Sequence, residues 1–124
     1  MKKLTKQQVI ILHKILINYS GGEDGVRDMN LLDSALEAPF ISFSGFSNYP
    51  SIQSKAARLA LGLIKNHPFV DGNKRIGILV MISFLEINGI KLTCTDTELI
   101  NLGLCLADGS MEIKSLIDFI IRHS

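Results

Sequence analysis

The sequence predicts an all-α fold: one compact helical domain over residues 1–124, with about six helices and a short flap-like segment around residues 39–50. Three observations carry that prediction. Apolar residues recur at three- and four-residue spacing through most of the chain, as in helices with one buried face. Thr5 with Gln8 and Thr95 with Glu98 have the spacing of a helix-opening capping box. Glycine, proline and an Asp-Gly step punctuate the periodic segments and leave no long linker. With 47% apolar and 20% charged residues in 124, the chain can bury roughly two-thirds of its unfolded surface without disulfides or metal. That composition excludes disorder, a collagen-like repeat and a coiled coil.

Taken in order, Val9, Leu12 and Leu16 give a first helix from Thr5 to about Asn18, broken by Ser20-Gly21-Gly22. Residues 21–28 read as a loop. A short helix over about 30–37 turns Leu31, Ala35 and Leu36 inward, and Pro39 closes it. Residues 39–50 alternate aromatics with serine around Gly45, which suggests a hairpin-like flap or a mobile loop. Its four aromatics either form a docking surface for another polypeptide or cover the edge of the core. Ser51 to Asn66 is the next helix, with Ile52, Ala56, Leu59, Leu63 and Ile64 at helical spacing. It ends near His67, because Pro68 disfavours the α conformation in the residue before it. After a tight loop, a helix opens at about Asn73 and runs to Asn88 with a stripe of Ile76, Leu79, Val80, Ser83, Phe84 and Ile87; Gly89 stops it. Thr95 opens a helix to about Ala107, Asp108-Gly109 turns the chain, and Ile113, Leu116, Ile117 and Ile120 mark the last helix.

Thirteen basic and twelve acidic residues leave a net charge of +1. This argues against a broad basic face for nucleic acid. The first residues lack the apolar stretch of a signal peptide. The most apolar run, Ile76 to Leu85, is about half of a membrane span. The expectation is a cytoplasmic protein without direct nucleic-acid or membrane partners. Cys94 and Cys105 read as small apolar core residues in a reducing compartment.

The informative segment is His67-Pro68-Phe69-Val70-Asp71-Gly72-Asn73-Lys74-Arg75. A helix ends, a short loop follows and a helix begins. The start of that second helix offers free backbone N–H groups and the positive end of a dipole, an anion site in waiting. Gly72 lets a ligand approach the backbone. Lys74 and Arg75 are unfavourable for the helix start itself and make sense if a phosphate sits there. His67 is suited to proton transfer near neutral pH, and Asp71 is a hard oxygen ligand for Mg2+. Phe69 reads as a core anchor for the loop. Singly these residues are commonplace, since a His before Pro ordinarily ends a helix and Asp-Gly ordinarily makes a turn. Their combination is specific.

That combination resembles the signature of the Fic/Doc family, His-Pro-Phe-x-(Asp/Glu)-Gly-Asn-(Gly or Lys)-Arg. All eight specified positions match, at residues 67–69 and 71–75. With residue types near 5% each, chance gives such a match roughly once in ten million chains or less. The stretch Gly25-Val26-Arg27-Asp28 through Pro39 is similar to the early helix of the Doc (death on curing) branch, as is Phe84-Leu85-Glu86-Ile87-Asn88-Gly89 to the stretch after its motif. The resemblance implies a mostly helical transferase that uses ATP with Mg2+ to modify a protein hydroxyl. His67 is then the general base, Asp71 the residue that holds Mg2+, and Gly72 and Asn73 the anion hole. Lys74 and Arg75 bind the phosphates.

AMP-transferring relatives usually carry Gly where this chain has Lys74, and a second Arg where it has Ile78. Doc toxins share the Asn-Lys-Arg version. The resemblance to them implies the toxin of a type II toxin–antitoxin system. Such a toxin is a kinase that phosphorylates elongation factor Tu, stops translation, and is restrained by a small antitoxin whose tail folds into a groove of the toxin. The alternatives are an AMP-transferase on the same fold and a catalytically silent Fic-like binding module. Gly77 departs from the Thr-Ala common in Doc after the motif. The self-inhibiting (Ser/Thr)-x-x-x-Glu-(Gly/Asn) motif of some Fic enzymes does not occur in the sequence.

Overall fold

The computed structural model describes residues 1–124 and contains six α-helices and one small hairpin. Helix α1 (Lys6–Ser20) opens at a complete capping box. The Thr5 hydroxyl accepts the Gln8 N–H at 3.1 Å, and the Gln8 side chain accepts the Thr5 N–H at 2.8 Å. Helix α2 (Met29–Glu37) is capped by Asp28 and runs into a 3₁₀ turn, Ala38–Phe40, that begins the flap. Strands β1 (Ser42–Phe43) and β2 (Phe46–Ser47) pair antiparallel, with Phe43 opposite Phe46. Helices α3 (Ile52–Asn66) and α5 (Asp96–Asp108) open at boxes made by Ser51 with Ser54 and by Thr95 with Glu98. Helix α4 spans Asn73–Ile87 and α6 spans Ile113–His123.

Helix α3 is the hub of the core, packed by α2, α4, α5 and α6. Its fully buried face carries Ala56, Ala57 and Ala60, whose small side chains let the neighbours come close, and then Leu63 and Ile64. Gly77 serves the same closeness on α4. A Cβ there would lie 2.7 Å from the Ile64 Cγ1 and 3.1 Å from the Ala60 carbonyl oxygen. The departure at this position thus has a packing reason: here a side chain would require Ile64 to shift.

Some expectations shift by a residue or a face. Helix α1 continues two residues beyond Asn18, to Ser20. On α2 the deepest positions are Leu32 and Ala35, with Leu31 and Leu36 half-buried at the edges of the stripe. On α4, Ile76, Val80 and Phe84 are buried as expected, but Gly77, Met81 and Leu85 join them while Leu79, Ser83 and Ile87 are half-buried. The reason is that α1, α3 and α5 all pack on α4, so its buried arc is wider than a stripe. Cys94 and Cys105 are free thiols, half-buried rather than in the core.

The aromatics of the flap divide between solvent and the edge of the core. Ser44 (φ 51°) and Gly45 (φ 80°) form the two-residue loop, and both central residues of a type I′ hairpin turn have positive φ. Phe43 and Phe46 stand in solvent, 84% and 81% exposed. Phe40, by contrast, meets Phe84 edge-on at 5.8 Å, and Tyr49 is half-buried. The Lys55 ammonium donates to the Tyr49 carbonyl and ties the base of the flap to α3.

Candidate functional site

The turn between α3 and α4 is built from the main chain outward. Pro68 prevents α3 from continuing, and His67 takes the left-handed conformation at φ 50° and ψ 53°. His is among the non-glycine residues that tolerate this region best. The exposed C-terminal carbonyls of α3 then need donors. Arg27 supplies them: its Nε donates to the His67 carbonyl at 2.7 Å and its Nη2 to the Asn66 carbonyl at 3.0 Å. The backbone of residues 25–28 runs alongside. Arg27 and Asp28 N–H donate to the Pro68 carbonyl (2.7 and 3.0 Å), and the Val70 N–H donates to the Gly25 carbonyl at 3.0 Å.

Two buried side chains hold the inner side of the turn. Phe69 is 1% exposed and lies parallel to the His13 ring, centroids 3.9 Å apart. Its reading as a core anchor holds. Asn73 faces inward too: its Oδ1 accepts the Phe69 N–H and its Nδ2 donates to the Phe69 carbonyl, both at 3.0 Å. Asn73 Nδ2 also lies 3.5 Å from His67 Nδ1. The amide of Asn73 is therefore spent on the turn, which leaves its main-chain N–H as its contribution to any anion site.

The chemical groups sit on the outer side. The His67 side chain is exposed. Gly72 caps α4 at φ 77° and ψ 20°, and no side chain fills that helix terminus. Its first N–H groups and its positive dipole end thus face outward uncapped. Asp71 accepts the Gly72 N–H on Oδ1 at 2.8 Å and the Glu23 N–H on Oδ2 at 3.1 Å. These bonds, Glu23's first, hold its carboxyl below the ordinary value of 3.8, with Arg75 adding positive potential. Arg75 Nη2 lies 3.9 Å from Asp71 Oδ1, while its Nη1 donates to Ser20 Oγ at 2.5 Å and to the Gly21 carbonyl at 2.8 Å. Lys74 is exposed and makes no ion pair.

The structure thus brings His67, Asp71, Gly72, Asn73, Lys74 and Arg75 to one turn. Three partners escape sequence reasoning: His13, Ser20 and Arg27 reach the turn from α1 and from the loop after it. Their only signal was polarity, which a helix face or a loop explains equally well. Beside Lys74 and Arg75 opens a groove of about 740 Å³ between α1, α4 and α5. Its walls are mainly apolar, with Leu16, Ile78, Leu79, Ile82, Leu99 and Leu104 among them, and Tyr19 at the rim is 91% exposed. No group of three or more His, Cys, Asp or Glu side chains is placed to hold a metal ion by itself. No helix is long and apolar enough to cross a membrane.

Residues 3–85 match the model of the Fic/DOC family. A curated protein of Mycolicibacterium smegmatis (strain ATCC 700084 / mc(2)155), named Toxin Doc, is 46% identical over 72 residues, 58% of this chain and 55% of its own length. The chain therefore spans about half the length of that relative.

Proposed function

The chain belongs to the Fic/DOC family, and on that premise we propose that it is the toxin of a toxin–antitoxin pair and acts as a Doc-type protein kinase. It transfers the γ-phosphate of Mg-ATP to a Ser or Thr hydroxyl of a translation factor, elongation factor Tu, and so blocks translation. One observation carries the reading. An exposed imidazole, an ionised carboxylate and two cations sit on the turn that opens into an uncapped helix N-terminus. Phosphoryl transfer asks a protein mainly for positioning and charge stabilisation, and this turn supplies both.

In that reaction His67 accepts the proton of the target hydroxyl as its oxygen bonds to the γ-phosphorus and the bond to ADP breaks. The N–H groups of Asn73 and the first turn of α4 receive the phosphate oxygens, and Gly72, whose own N–H is taken by Asp71 Oδ1, keeps side chains out of their way. Lys74 and Arg75 offset the charge that develops there. Mg2+ bound with the nucleotide supplies further charge neutralisation. Asp71 suits that role: one half-exposed carboxylate fits an ion that keeps water and phosphate oxygens as its other ligands.

Transfer of phosphate rather than AMP is supported by Lys74 and Ile78. Lys74 is a free point charge next to the turn. Ile78 lines the apolar groove where an AMP-transferase would carry a second arginine. That groove fits the antitoxin partner. Its apolar walls suit one face of an amphipathic helix, and its cationic end suits an acidic residue on that helix. The deciding experiment incubates the protein with cell extract and ATP labelled at the α or the γ position. Label from γ alone on a protein of elongation-factor size is the expected outcome. Label from α overturns the kinase reading in favour of AMP transfer.

A further inference from the structure

His13 is an unexplained residue in an otherwise apolar interior. It is 0% exposed and is stacked on Phe69. Its Nε2 lies 2.7 Å from the Asp71 carbonyl oxygen, so Nε2 carries a proton and donates. Its Nδ1 is buried without a hydrogen-bond partner, and the closest charged group, the Asp24 carboxylate at 3.5 Å, is an acceptor like a neutral Nδ1. A phenylalanine would fill the same space without stranding a nitrogen. Packing alone therefore gives no reason for an imidazole, since buried polar atoms ordinarily find partners. The reason lies at the other nitrogen.

We propose that His13 is a positioning residue of the site: its Nε2–H grips the Asp71 carbonyl and thereby sets the Asp71 carboxylate toward its ligand. The inference rests on the reading of Asp71 as the residue that meets Mg-ATP. A trans peptide is rigid, and its C=O and the following N–H point in opposite directions. With the Asp71 carbonyl turned to His13, the Gly72 N–H is turned away from it, onto Asp71 Oδ1 at 2.8 Å. That bond and the one from Glu23 seat the carboxylate. Loss of the His13 donor frees the peptide to rotate, breaks the Gly72 N–H bond to Asp71 Oδ1 and unseats the carboxylate. The Gly72 backbone lies against both side chains of α1, since a Cβ there would stand 3.1 Å from Ile17 Cδ1 and in ordinary contact with His13 Nε2 at 3.6 Å.

The test compares the full chain with His13→Phe, which keeps a ring on Phe69 but has no donor, and His13→Gln, whose amide N–H can reach the same carbonyl. Without any ligand, long-range ¹⁵N NMR of the wild type should place the proton on Nε2. The Gly72 amide should exchange about tenfold faster in His13→Phe and return toward the wild-type rate in His13→Gln. With a non-hydrolysable ATP analogue, the Kd for Mn2+ read by electron paramagnetic resonance should rise about 10- to 100-fold in His13→Phe, with partial rescue in His13→Gln. Affinity for the metal-free analogue should stay within about twofold in the same samples, which a general loss of structure would not allow. A wild-type His13 with no proton on Nε2 overturns the proposal even if His13→Phe does not fold. Unchanged Gly72 exchange and Mn2+ affinity in a folded His13→Phe overturn it as well. If the wild type binds no Mn2+ with the analogue while the NMR results hold, the Mg-ATP reading fails and the grip of His13 on the turn stands.

Discussion

Two non-glycine residues adopt the left-handed backbone conformation, His67 at φ 50° and Ser44 at φ 51°, and their surroundings could hardly differ more. At His67 the turn is tied from three sides. Arg27 holds the carbonyls on one side, Asn73 bridges both main-chain groups of Phe69, and His13 reaches the Asp71 carbonyl from α1. At Ser44 nothing beyond the two-residue turn and a short ladder defines the backbone, and the flanking Phe43 and Phe46 are open to solvent. Backbone strain persists where the surroundings over-determine it, and such positions concentrate at functional sites. The Ser44 turn is instead the form that a tight hairpin asks for. The same dihedral thus belongs to a turn pinned from three sides in one place and to ordinary turn geometry in the other, and the hydrogen bonds distinguish them.

The largest effect should come from breaking the chemistry of the pinned turn without unpinning it. Asn tolerates the left-handed region well but cannot take up a proton. His67→Asn should therefore keep the fold and lose about two to four decades of phosphotransfer rate. Unfolding curves superimposable on the wild type, with the rate gone, are the expected pair of results. A variant that keeps more than about a tenth of the rate removes His67 from the role of base.

Unpinning the turn comes next. Asn73→Ala strips partners from the Phe69 N–H and carbonyl, both buried, and should cost about 2–4 kcal/mol in urea denaturation. The acid limb of stability gives a smaller effect. The carboxyl of Asp71 is held below its ordinary value of 3.8 by the Glu23 and Gly72 N–H groups. A depressed carboxylate contributes fully above its unfolded value and loses that contribution as pH falls toward its folded value. Stability should therefore drop as the pH is lowered below about 4, and Asp71→Asn should make that drop shallower. Urea midpoints measured down to about pH 2 give the slopes, and equal slopes remove Asp71 from the acid limb.

Much of this was legible in the sequence, and what was not has a common cause. Caps at Thr5, Ser51 and Thr95 act within three residues, and Pro68 acts on its neighbour, so local rules place the helix starts and the break at His67. The run 67–75 stands out as a site because its residue types are adjacent. The supporting contacts are not adjacent. His13 meets Asp71 across 58 positions and Arg27 meets His67 across 40. His13 lies among Val9, Leu12, Leu16 and Ile17, where its position reads as one more buried site on an amphipathic helix. The inward turn of the Asn73 amide is equally invisible, because a helix-opening asparagine can face a ligand or the protein, and only the tertiary path of Phe69 decides. Width of burial was missed on α4 for a related reason: periodicity shows one face, and α4 has neighbours on three sides.

The smallest expected effect belongs to the Ser44 turn and tests whether its backbone is as ordinary as the hydrogen bonds suggest. A two-residue hairpin loop with both central residues at positive φ favours Asn-Gly, and here the first of the pair is Ser while Gly45 already occupies the second. Ser44→Asn supplies the preferred residue at a position that is exposed. The substitution should stabilise the hairpin by at most about 0.5 kcal/mol, within the range of surface changes that disturb no partner. The gain should appear as slower amide exchange within β1 and β2, while the urea midpoint of the whole chain and the phosphotransfer rate stay unchanged. A shift of either would mean that the flap is coupled to the α3–α4 turn. The contrast between a pinned and a free left-handed residue would then be one of degree.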